Sequence, residues 1–131
     1  MLEHEAVSGG IIGSAVTVHR ELGPGFLESV YEAALAYELG VQGIPFDRQV
    51  LFPILYRGTK LGQHRFDLVA DGCIIVELKA LDQIAGPVFR VMRSCLHATS
   101  IPLGLILNFG APTLEVKRVF AQKQPPHQAQ R

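Results

Sequence analysis

An acid and a lysine two residues apart on an apolar strand are the side chains of this sequence best placed to do chemistry. In Ile74-Ile75-Val76-Glu77-Leu78-Lys79 the side chains of a strand alternate between faces, so Glu77 and Lys79 share one face and Val76 and Leu78 the other. Charge on such a strand is costly unless it is paired or bound to a metal. A plain salt bridge at the strand end is the simpler reading; a metal site is the one with chemical consequences.

A second carboxylate, Asp67, lies upstream in Arg65-Phe66-Asp67-Leu68. Whether it joins the first depends on the register of the hairpin between them. A loop of Asp71 and Gly72 alone pairs Asp67 with Val76 and turns it away from Glu77. A loop of Ala70, Asp71 and Gly72 sets Val69 opposite Cys73, Leu68 opposite Ile74 and Phe66 opposite Val76. Asp67 then faces Ile75, on the side of Glu77 and Lys79. The apolar pairs select this second register, and Gly72 suits the left-handed position that ends such loops. Arg65 falls on the same face opposite Glu77, where it either competes for that carboxylate or orients it.

Carboxylates brought together need positive charge between them, and Lys79 compensates only part of it. A hard divalent cation completes the balance. Oxygen ligands from Asp67 and Glu77, a backbone carbonyl at Leu78 and water suit Mg²⁺ or Mn²⁺; neither thiolates nor paired histidines are arranged for zinc. The chemistry this supports is phosphodiester hydrolysis, with the cation acidifying a water and Lys79 orienting it or neutralising the phosphate. The implied partner is nucleic acid, DNA or RNA.

These residues need elements to hold them. Apolar residues at three- and four-residue steps predict a helix over residues 7–22, ended by Gly23-Pro24-Gly25, and a second over 27–39. Glu28 lies in the first turn of that second helix, where the helix dipole favours an acid whatever else it does. Strands are expected over 49–57, 63–69 and 73–79, with Pro53 marking an edge or a bulge. A third helix over 85–99 starts around Pro87, and strands over 103–109 and 115–120 follow. The order predicts an α/β domain over 1–121, with a flexible tail at 122–131.

Composition sets limits. With 131 residues, 48% of them hydrophobic and 18% charged, the chain has the makings of one folded core. Twelve basic and twelve acidic residues cancel, so nucleic-acid binding must come from local charge. Arg90, Arg93 and His97 form one stripe on the third helix, read either as a phosphate-facing patch or as a solvated face. No apolar run approaches the ~20 residues that span a bilayer, and a cytoplasmic protein is expected. Cys73 and Cys95 read as reduced core residues, His19 and His64 as isolated, and Asn108 as a buried residue in need of partners. The apolar segment 51–56 is available for a homodimer.

At these residues the sequence resembles the GxxExxY proteins, a branch of the PD-(D/E)xK nuclease superfamily. The naming motif stands as Gly25-Phe26-Leu27-Glu28-Ser29-Val30-Tyr31. Later blocks match at Arg65-Phe66-Asp67-Leu68, Val76-Glu77-Leu78-Lys79-Ala80 and Gly104-Leu105-Ile106-Leu107-Asn108-Phe109-Gly110. The resemblance implies a restriction-endonuclease-like core, a central mixed sheet flanked by helices. It also implies Glu28, Asp67, Glu77 and Lys79 as the active-site set, with Glu28 joining Asp67, Glu77 and the Leu78 carbonyl at the metal; Tyr31, one turn from Glu28 on the helix, is placed to hold it by a hydrogen bond. Where the family carries His, Gln and Tyr along the third helix, this chain has Val88, Val91 and Cys95.

Three functions are compatible with these residues: a metal-dependent nuclease, a catalytically weak nucleic-acid-binding or assembly module that keeps the fold, and a structural interaction protein. Metal-dependent turnover separates the first from the second, and nucleic-acid binding separates the second from the third.

Overall fold

A computed structural model describes residues 3–122 of the chain. Three helices and five strands follow in the order α1 (Glu3–Leu22), α2 (Glu28–Gln42), β1 (Phe46–Tyr56), β2 (Thr59–Ala70), β3 (Ile74–Lys79), α3 (Gly86–Thr99), β4 (Leu103–Asn108) and β5 (Glu115–Phe120). Every expected element is present. The ends differ by a few residues, chiefly because the β1–β2 hairpin carries its ladder to Tyr56 and Thr59. The expected tail lies, apart from residue 122, outside the described residues.

The strands form one sheet in sequence order. Only β3 and β4 are parallel, and α3 supplies the crossover that a parallel pair requires. Helices cover both faces of this mixed sheet, the restriction-endonuclease-like α/β arrangement. On one side α1 and α2 bury Ile11, Leu35 and Leu39 against Leu68, Val76, Leu105 and Leu107. On the other, α3 buries Met92 and Leu96 against Phe66, Ile75 and Ile106. All six residues of β4 are buried, which accounts for its unbroken apolar run. Gly104 in β4 leaves the space that Met92 fills, since a Cβ there would overlap the methionine side chain.

The β2–β3 hairpin departs from the expected register. Ala70 faces Ile74, Val69 faces Ile75 and Leu68 faces Val76, a slip of two residues that preserves which side chains share a face. The turn is made by Asp71 and Gly72, both left-handed at φ 52° and 64°, with the Cys73 N–H donating to the Ala70 carbonyl at 3.0 Å. Burial decides it. Ala70, assigned to the loop from sequence, is fully buried, and pairing it with Ile74 adds both to the core beneath α1 and α2.

Two sequence readings take concrete form at the ends of the sheet. Pro53 lies on an edge strand, beside a register shift at Ile54 and Leu55. Tyr31 is fully buried, stacked on Phe109 with ring centroids 4.6 Å apart. Its hydroxyl donates to the Gly23 carbonyl at 2.6 Å and accepts from the Phe26 N–H at 3.1 Å, which ties down the α1–α2 turn.

Because Phe109 closes β4 against Tyr31 in a site with no exposed surface, Phe109→Ala should lower the unfolding free energy by about 3–5 kcal/mol in urea titrations. Leu51→Ala, on a side chain 57% exposed, should stay within about 0.5 kcal/mol of the parent.

Candidate active site

The β2–β3 ladder stops at Leu68 and Val76, and two carboxylates take over where it ends. Asp67 Oδ2 accepts the Leu78 N–H at 2.9 Å, and Glu77 Oε1 accepts the Asp67 N–H at 3.3 Å. Each acid thus satisfies a backbone donor on the other strand. Asp67 and Glu77 are partly buried side by side, and Lys79 lines the same cleft as Glu77.

A local change of face in β2 makes this possible. Leu68 and Ala70 belong to the core under α1 and α2, but Phe66 belongs to the core under α3. Strict alternation would put all three on one side. The strand therefore reverses its facing at Asp67, and Gln49, the residue across from it in the β1 register, has a φ of 52°.

The electrostatics follow from crowding and burial. Burial first, and the charge of Asp67 second, raise the Glu77 carboxyl from its ordinary 4.5 to about 8; Lys79 acts in the opposite sense. Cys95, across the cleft, is pushed up to about 11 by burial and then by Glu77, so its thiol keeps its proton. The available ligands are therefore carboxylate oxygens. Two carboxylates with a shortage of positive charge fit a hard cation that keeps several waters, as Mg²⁺ does. Among the described residues no group of three or more His, Cys, Asp or Glu side chains is placed to hold a metal together.

The other expected site residues are distributed as follows. Glu28 is exposed in the first turn of α2, and among the described residues no hydrogen bond or ion pair joins it to Asp67, Glu77 or Lys79. The Tyr31 hydroxyl is engaged by Gly23 and Phe26 rather than by Glu28. Arg65 is exposed and pairs along the ladder with Leu51; the two-residue slip removes it from the place opposite Glu77. Arg90, Arg93 and His97 are exposed on α3, and of these Arg90 lines the cleft.

His64 and Glu32 acquire roles that sequence reading did not assign. His64, read as isolated, lines the cleft with Phe66, its ring centroid 5.0 Å from that ring. Its alternation with Phe66 on β2 was the available signal. Glu32 is buried on α2, paired with Arg48 at 2.9 Å and accepting from Gln49 at 2.6 Å, and so clamps β1 to the helix beside its left-handed residue. Asn108 is fully buried and satisfied. It accepts from Leu81 and Gly110 N–H groups and donates to the Leu81 carbonyl and Glu115, anchoring the loop that leaves Lys79. His19, also buried, bonds the Ala111 carbonyl at 2.9 Å.

A family model described as the PD-(D/E)XK nuclease superfamily matches residues 5–119. The chain belongs to that superfamily, whose nucleases generally use divalent metals and whose name designates a nucleic-acid substrate. No curated protein and no solved structure matches it. No helix among the described residues is long and apolar enough to cross a membrane.

The raised Glu77 carboxyl makes stability depend on pH. Between 4.5 and about 8 the folded state holds a proton that the unfolded state has released, so Glu77's contribution to stability should be fully present below 4.5 and be lost as pH rises through about 8. Urea midpoints measured in EDTA across that range should show the decline in the parent. In Glu77→Gln it should be largely gone.

Proposed function

We propose that this chain is a metal-dependent phosphodiester hydrolase acting on DNA or RNA. In this reading Asp67 and Glu77, with the Leu78 backbone carbonyl, hold Mg²⁺ or Mn²⁺. The observation that carries the reading is the pair of carboxylates joined across the β2–β3 fork beside Lys79, in a chain of the PD-(D/E)XK superfamily. A bound divalent cation would supply Lewis acidity toward a water and toward the phosphate. The chain's own residues do the rest. Lys79, on the strand face of Glu77, neutralises charge gathering on the phosphate oxygens, and the apolar floor of Phe66 and Ile75 keeps bulk water from screening it.

The motif Gly25-Phe26-Leu27-Glu28-Ser29-Val30-Tyr31 supports placing the chain in the GxxExxY branch. Glu28 enters the catalytic proposal through that motif alone, and Glu28→Gln measures its share. Arg90, Arg93 and His97 are proposed as phosphate contacts, with Arg90 nearest the cleft. The expected setting is the cytoplasm, with one folded domain over residues 1–121 and a homodimer through the exposed edge near Leu51 and Tyr56.

A second reading, a binding or assembly module with little turnover, is favoured by one observation. Val88, Val91 and Cys95 line the cleft that Glu77 and Lys79 share, so α3 brings no polar group to the phosphate there.

Calorimetric titration of Mn²⁺, followed by cleavage assays on single- and double-stranded DNA and RNA, separates the readings. The parent should bind Mn²⁺ and cleave. Asp67→Ala should lose both, and Lys79→Ala should keep the metal heat while cleavage falls by roughly 10²–10³-fold. Metal heat without cleavage by the parent would establish the second reading in place of the first.

A further inference from the structure

Away from Glu77 and Lys79 the cleft continues between the β1–β2 hairpin and α3. A segment of about 200 Å³ beside Glu77 and Lys79 adjoins one of about 320 Å³, and the two share His64, Phe66, Val91 and Cys95. The walls of the larger segment are aromatic and apolar. Phe52 and His64 are direct cross-strand partners, both half-buried. Phe66 forms the floor, with its ring centroid 6.1 Å from Phe52 and 5.0 Å from His64. Facing them, Val91 on α3 is 50% exposed. Among the described residues Arg90 is the only Lys or Arg in this lining.

This composition distinguishes between the two forms of nucleic acid. A closed duplex hides its base faces and meets a protein with sugar and phosphate, so its binding depends on many cations. The chain has no net charge, and Phe52, Ile54 and Val91 are poor company for phosphates. An unpaired nucleotide has apolar base faces that stack on aromatic side chains while its phosphates stay outside. At about 320 Å³ the larger segment lies at the lower end of small-ligand sites, which begin at roughly 300 Å³, and so has room for a single base.

We propose that Phe52, His64 and Val91 form a stacking slot for an unpaired nucleobase, and that the substrate is accordingly single-stranded nucleic acid, with one phosphate beside Asp67 and Glu77 and a neighbouring phosphate at Arg90. The position of the reacting phosphate rests on the hydrolase reading above. The slot itself is a matter of binding, and binding tests it separately.

The experiment uses the full chain carrying Asp67→Asn, which retains an oxygen for the Leu78 N–H and prevents turnover. Fluorescence anisotropy in EDTA compares a labelled short single strand, the same strand in a duplex, and the same strand with abasic sites in place of its bases. The intact single strand should bind about tenfold or more tighter than either of the others. Adding Val91→Glu should abolish that preference. Val41→Glu, the same change at a similarly exposed position on α2, should leave it intact, with circular dichroism showing both variants folded. Phe52→Ala should weaken binding and Phe52→Trp should retain it.

Equal affinity for the duplex, undiminished binding of the abasic strand, an unaffected Val91→Glu variant, or no binding of any strand would each overturn the slot. If the strand preference holds while the parent cleaves nothing, the hydrolase reading fails and the slot stands. If the parent cleaves duplexes and abasic strands bind fully, the slot fails and the hydrolase reading stands.

Discussion

Two carboxylates holding the backbone of each other's strands set the character of this molecule. Where the β2–β3 ladder ends, Asp67 takes the Leu78 N–H and Glu77 takes the Asp67 N–H, so the strands can part without leaving those donors unpaired. The same contacts hold two acids together in a partly buried place, and Glu77 responds by resisting ionisation. The hydrogen bonds that order the fork thus maintain an electrostatic debt that a cation would settle.

The rest of the fold keeps that fork in position. Strand β3 is paired with β4 along its whole length, and β4 is buried on both faces. Where β3 ends at Lys79, its partner Asn108 makes four hydrogen bonds, two of them to Leu81 in the loop that follows, while Phe109 stacks on Tyr31 from α2. On the opposite side, the outer part of the β1–β2 hairpin is largely exposed. The carboxylates therefore stand at the boundary between a sheet clamped from both faces and an outlying hairpin, and the cleft opens along that boundary.

Helix α3 gives the cleft its individuality. Val88, Val91 and Cys95 present apolar surface where the resemblance leads one to expect polar groups, while Arg90 lines the outer part of the cleft and Arg93 and His97 are exposed. An apolar wall raises the cost of charge at Glu77 and offers a ligand dispersion contacts in place of hydrogen bonds. The lining thus sets apolar and aromatic side chains beside a small group of charged ones.

Much of this was legible along the chain, because it depends on local chemistry. The period of the apolar residues marked α1 and α2, Pro87 marked the start of α3, the continuous run of β4 showed burial on both faces, and the two-residue spacing of Glu77 and Lys79 put them on one face. The two-residue slip of the hairpin kept Asp67 on the side of Glu77, since strand faces repeat every second residue. What only the tertiary structure decided were the matters governed by contacts between distant segments. Ala70 is drawn out of the turn because a core built by α1 and α2 has room for it, and β2 reverses its facing at Asp67 because Phe66 is required under α3 and Leu68 on the other side. For the same reason Glu28, adjacent to the others only in motif, remains at the exposed start of α2, and His64, unremarkable in sequence, becomes a wall of the cleft. Periodicity specifies which residues share a surface; which surfaces meet is set by packing, and packing is not a property of any one segment.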